Sequence, residues 1–113
     1  MLLKKYKLKR DNDFKKVFKQ GRYCPGDFIK IKFLRNNLEF NRFAFVVGLK
    51  ISKKATQRNK IKRCLEKATQ SILNQSKTSF DLVVMVEPKI TKRDYQGIEE
   101  ELIDLFKKIK LIK

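Results

Sequence analysis

The chain contains no histidine and no tryptophan, only two prolines and four glycines, and two cysteines forty positions apart. Without histidine, the commonest general base and the commonest metal ligand are both missing. Cys24 and Cys64 form no C-x-x-C pair, so a zinc site is not expected, and nothing in the sequence points to a secreted, disulfide-held protein. No G-x-S-x-G, no glycine-rich phosphate loop and no suggestive carboxylate pair is present, so no catalytic residue is assigned to this chain. The start, MLLKKYKLKR, lacks the apolar run of a signal peptide, and no apolar stretch is long enough to span a bilayer. The expectation is a reduced, cytoplasmic protein with no membrane partner.

Acids are also scarce: 12 against 29 lysines and arginines, a net charge of +17. A compact chain of 113 residues with that imbalance repels itself unless a polyanion neutralises it, and nucleic acid is the first candidate. The charge is concentrated. Residues 1–23 hold nine basic and two acidic residues, and residues 50–67 hold eight and one. Residues 68–113 hold eight and seven, so the last third is nearly neutral.

The length suits one domain over 1–113, with 1–10 either a basic tail or an ordered arm. Asp11, Asn12 or Asp13 can cap a first helix that puts Phe14, Val17 and Phe18 on one face and stops at Gly21. Residues 28–34 alternate, with Ile29, Ile31 and Phe33 on one side and Lys30 and Lys32 on the other. Residues 35–41 read as a hairpin-like loop, and 42–49 as a second strand. A short extra strand has room near Cys24. FDLVVMV, residues 80–86, is a continuous apolar run that suits an interior strand. Thr91 or Asp94 can cap a last helix with a stripe of Tyr95, Ile98, Leu102, Leu105, Phe106 and Ile109. Its charges balance, which marks it as scaffold. These elements predict an α+β fold: a two-layer sandwich of a small three- to four-stranded sheet and three helices.

The most informative stretch is KISKKATQRNKIKRCLEK, residues 50–67. From Arg58 to about Asn74 it has a helical period. Ile61, Leu65, Ala68 and Ile72 share one face. Arg58, Asn59, Lys62 and Arg63 share the opposite one, which Lys60 and Lys67 extend. A basic helix face is often only solvated, but this run lacks the alternating signs of a salt-bridged surface. Its guanidinium, ammonium and amide groups suit phosphate and folded RNA. Beside the first basic patch, Phe14 and Phe18 are either core residues or a platform for unpaired bases.

Three segments resemble the protein component of bacterial ribonuclease P. Arg58-Asn59-Lys60-Ile61-Lys62-Arg63 is similar to that family's R-N-[RK]-x-K-R signature. Gly48-Leu49-Lys50-Ile51-Ser52-Lys53-Lys54 resembles its G-[LI]-x-[VI]-[SG]-K-K segment. Leu8 to Gly21 resembles its opening L-x-x-x-x-D-F-x-x-V-[FY]-x-x-G. The order is right and the likeness spans nearly the whole chain. One departure is a loop about three residues shorter, with only Ala55-Thr56-Gln57 between the lysine pair and Arg58.

The resemblance implies a subunit that assists a catalytic RNA in removing the 5′ leader from precursor tRNA. The RNA and its Mg²⁺ ions would carry the hydrolysis. It also implies a left-handed strand–helix–strand crossover around the signature helix. Lys53, Lys54, Arg58, Asn59, Lys60, Lys62, Arg63 and Lys67 would contact the catalytic RNA. Phe14, Lys15, Phe18, Lys30, Ile31 and Lys32 would line a cleft for the leader. No protein oligomer is implied. The alternative is a non-enzymatic RNA-binding protein such as a ribosomal component.

Overall fold

The computed structural model describes residues 6–73 and 79–112. Helix α1 spans Asp11–Gln20, followed by strands β1, Arg22–Pro25, β2, Ile29–Arg35, and β3, Arg42–Val46. Helix α2 spans Ala55–Ile72 and strand β4 Phe80–Val86. A 3₁₀ turn over Pro88–Lys92 precedes helix α3, Tyr95–Lys108. The four strands form one mixed sheet in the order β1-β2-β4-β3. The apolar run of β4 is therefore interior, as its composition predicts. It pairs antiparallel with β2 and parallel with β3.

The insertion of β4 between β2 and β3 overturns the expected hairpin at residues 35–41. That loop instead crosses the end of β4 and is fastened to it by asparagines. Asn36 Nδ2 donates to Asp81 Oδ1 at 2.9 Å, and Asn41 Oδ1 accepts from the Phe80 amide at 2.9 Å. The second strand also stops at Val46, before Gly48.

The apolar stripes of α2 (Ile61, Leu65, Ala68, Ile72) and α3 (Ile98, Leu102, Leu105, Phe106) cover one sheet face. They pack on Ile29, Ile31, Phe43, Leu82 and Val84, which point the same way because side chains alternate along each strand. To this two-layer core the structure adds α1 on the far face. There Val17, fully buried, packs with Leu8, Ala44 and Val83.

Glu87 N donates to Phe28 O, and Asn36 N to Ser79 O, so residues 81, 83 and 85 bond toward β2 and residues 82 and 84 toward β3. Since Leu82 faces α2, the handedness of L-residues places β3 to the right of an upward β4, seen from α2. The path β3–α2–β4 therefore moves leftward: a left-handed crossover, against the usual hand.

Local chemistry fixes the joints. Neither Asp11, Asn12 nor Asp13 caps α1. Arg10 holds the cap position with no side-chain bond, and Asp11 and Asp13 lie in the first turn, where the helix dipole favours them. At the other end, a Cβ on Gly21 would sit 2.9 Å from Phe33 O and closer still to Val17 O, so only glycine lets the chain pass so near the sheet. Asp94 does cap α3, accepting from Gly97 N at 2.8 Å. Glu101 of α3 accepts from the amides of Asp27, Phe28 and Ile29 at 3.0, 2.9 and 2.7 Å, tying the helix to the β1–β2 turn. Of the first ten residues, 6–10 are described. Lys7 bridges Phe43 in parallel and Leu8 is buried, so this part is an ordered arm; residues 1–5 lie outside the described residues. The linker expected over residues 75–79 lies outside them too, except Ser79.

Candidate nucleic-acid interface

The polar face of α2 carries Asn59, Lys60, Arg63 and Lys67 exposed, with Arg58 and Lys62 half-buried beside them. Among the described residues, none of these cations has a carboxylate within ion-pair distance; the ion pairs that form involve Lys30, Arg42, Lys89 and Arg93. Arg58 is held by the loop before it: a guanidinium nitrogen donates to Ser52 O at 2.9 Å. Lys53 and Lys54 are exposed on that same loop. Lys54 is the cap residue of α2, no side chain satisfies the cap, and the first turn contains no acid. The amides there are thus left to an external acceptor, and the helix dipole favours an anion. Lys67 stands apart. Its Nζ lies 5.0 Å above the Tyr95 ring, in the seam between α2 and α3.

The second group divides by sheet face. Even positions of β2 face α1, so Lys30 and Lys32 lie beside it, both partly exposed. Phe18 is 42% exposed, and Lys32 Nζ sits 5.6 Å from its ring centroid while donating to Phe18 O at 2.9 Å. That bond satisfies an orphan carbonyl of the last turn and places a cation at the negative end of the helix. Lys15 is exposed one turn before Phe18; Phe14 is half-buried against the small far-face core. Lys30 is loosely paired with Glu87 at 3.8 Å.

Ile31 does not belong to this group. It is fully buried and faces α2 and α3, with Ile29 and Phe33, so it cannot touch anything in a cleft on the α1 side. Its neighbours Lys30 and Lys32 have the opposite parity, so a ligand lying on their face does not reach Ile31.

The structure also adds residues that the sequence did not single out. Tyr23, 53% exposed, is the register partner of Lys32 and shares its face; Val46, 42% exposed, flanks the same surface. Arg42 positions the cleft. It bonds Asp81 twice, at 2.8 and 2.7 Å, and reaches Asp13 of α1 at 3.2 Å. The bond to Asp81, opposed in part by burial, raises its pKa above the ordinary arginine value, so it is charged at any working pH. A tyrosine and a lysine on different strands could have been paired only with the register in hand.

The two groups meet at the β3 edge. A hollow of about 220 Å³ there is lined by Lys7, Lys9, Phe14 and Val46 on one side and by Lys62 and Glu66 of α2 on the other. Among the described residues no group of three or more Cys, Asp or Glu could cage a metal ion, and no helix is long and apolar enough to cross a membrane.

This geometry defines a class: a small basic α+β protein whose cations are displayed rather than spent, built to face a polyanion. The ribonuclease P family model matches residues 2–110. The ribonuclease P protein component of Alkaliphilus metalliredigens is 34% identical over 106 residues, 94% of this chain and 95% of that protein. That of Syntrophomonas wolfei is 33% identical, covering 96% and 90%. The RNase P protein from Thermotoga maritima superposes with a TM-score of 0.84 at 29% identity, over 92% of this chain and 97% of that one. The Staphylococcus aureus protein, at 21% identity, shares the fold with a TM-score of 0.88 over 96% and 98%. The chain belongs to the ribonuclease P protein component family: it is a subunit of the endoribonuclease ribonucleoprotein and works with the ribonuclease P RNA.

Proposed function

We propose that the chain acts as one RNA-binding domain over 1–113, in the cytoplasm, holding the catalytic RNA on α2 and the 5′ leader of precursor tRNA on the α1 face. The observation that carries this reading is the unpaired cationic ridge of α2 meeting the aromatic–lysine surface of α1 across one hollow. Arg58, Asn59, Lys60, Lys62 and Arg63, with Lys53 and Lys54 at the helix start, bind phosphates of the catalytic RNA. Lys67 serves from the seam with α3. The leader runs over Phe18, Lys15, Lys32 and Lys30, with Phe14 beneath; an unpaired base stacks on the Phe18 ring, and Lys32 neutralises its phosphate. Hydrolysis and its Mg²⁺ belong to the RNA, and this chain's contribution is to position the substrate and screen phosphate repulsion. Ala55–Gln57, expected as a shortened loop before a helix from Arg58, instead form the first turn of α2, and Arg58 anchors back to Ser52.

The test uses the reconstituted holoenzyme. Phe18→Ala should weaken binding of leader-bearing precursor by about 1–3 kcal/mol while leaving mature tRNA unaffected. Equal losses for both RNAs, or none, would remove the leader from this face.

A further inference from the structure

The geometry points to a second single-stranded RNA site, on the sheet face opposite Lys30 and Lys32 and at the far edge, where β1 and β2 run out beyond α3. Cross-strand register sets Arg22 beside Phe33 and Arg35 beside Phe80, so two arginines and two phenylalanines share one face. The Arg35 guanidinium lies 5.9 Å from the Phe80 ring centroid, and the Phe33 and Phe80 rings meet edge-on at 6.2 Å. Gly21 lets α1 end close against β2, which brings Gln20 to the rim. The hollow so formed has a volume of about 360 Å³, within the range of roughly 300–1,000 Å³ typical of small-ligand sites. A second hollow of about 340 Å³ shares Arg22, Phe33 and Ile109 with it and extends to Lys108 and Lys110.

No acid lines either hollow, and among the described residues neither Arg22 nor Arg35 has an ion-pair partner. A trough with aromatic walls and four unopposed cations matches an unpaired nucleotide segment. One base lies against Phe33 and Phe80 with the Arg35 plane over it. The flanking phosphates meet Arg22 and Lys110. A duplex would offer only its backbone and leave the aromatic walls empty. An arginine resting on a phenylalanine can also simply seal a sheet corner, and the experiment separates the two. The site does not rest on the leader assignment, because it lies on the other side of the sheet.

The full chain and its Phe18→Ala variant are irradiated with a hexanucleotide RNA carrying 4-thiouridine, and the attached peptides are mapped. Cross-links at Phe33 to Arg35 or at Phe80, retained in Phe18→Ala, are expected. Arg22→Ala with Arg35→Ala should lower their yield at least about fivefold. Arg35→Lys keeps the charge but loses the planar stacking surface, and should give the same loss. Cross-links confined to α1, β3 or α2 would overturn the proposal, as would efficient competition by double-stranded RNA. Full yield from Arg35→Lys would overturn the stacking assignment. Because Arg22 and Arg35 are exposed, the variants keep the fold, and the position of the wild-type cross-link decides the matter by itself.

Discussion

Helices α2 and α3 lie side by side on the same sheet face, yet they use charge in opposite ways. On α3 three of the four acids have partners within the protein: Glu99 accepts from the Tyr95 hydroxyl at 2.8 Å, Glu100 from Gln96 at 3.1 Å, and Glu101 from three backbone amides. On α2 the cations of the polar face find no carboxylate among the described residues. Charge that is satisfied internally builds the fold, and charge left unsatisfied builds an interface. The difference teaches which polar residues should register in stability and which in RNA affinity.

Breaking the α2 side should have the larger effect. Arg58→Ala, Lys62→Ala and Arg63→Ala combined should weaken affinity for the catalytic RNA by at least about 100-fold, given about 1.5–3 kcal/mol per charged hydrogen bond. The slope of log affinity against log salt should become shallower by about two, at roughly 0.7–0.9 for each phosphate that is no longer neutralised. Filter binding across a salt series reads both, while the thermal midpoint stays within a few degrees. Breaking the α3 side should invert the pattern. Glu101→Ala strips three amides of their acceptor and should cost about 2–3 kcal/mol in urea denaturation, with RNA affinity of the folded protein unchanged.

The smallest effect sharpens the comparison at the seam. Burial, reinforced by the bond to Glu99, raises the Tyr95 phenol from 10.0 to about 12. The folded state therefore holds that proton more tightly than the unfolded chain does. Its contribution to stability is complete below pH 10 and disappears as pH rises toward about 12. Absorbance titration of the three tyrosines should show one late phase, absent in Tyr95→Phe.

Much of this contrast was legible in the residues. The 3.6-residue spacing of Ile61, Leu65, Ala68 and Ile72 fixes which face of α2 is buried, and so which cations are displayed. The continuous apolar run at 80–86 marks β4 as interior. Alternation along β2 already separates Ile31 from Lys30 and Lys32, and grouping all three in one cleft contradicts that parity.

What could not be read depends on residues far apart in sequence. Nothing local says that β4 inserts between β2 and β3, so residues 35–41 imitate a hairpin. The Arg42–Asp81 pair and the Glu101 clamp join positions 39 and more than 70 residues apart. The Arg22–Phe33 and Arg35–Phe80 row appears only once the strands are in register.

The most direct measurement is precursor tRNA cleavage by the catalytic RNA at low Mg²⁺, with and without the chain. Wild-type protein should restore cleavage. Lys107→Ala, on the charge-balanced helix, should restore it within about twofold, and the Arg58, Lys62 and Arg63 triple alanine variant should not restore it. Equal loss from Lys107→Ala, or full rescue by the triple variant, would contradict the claim that the free cations of α2 hold the RNA.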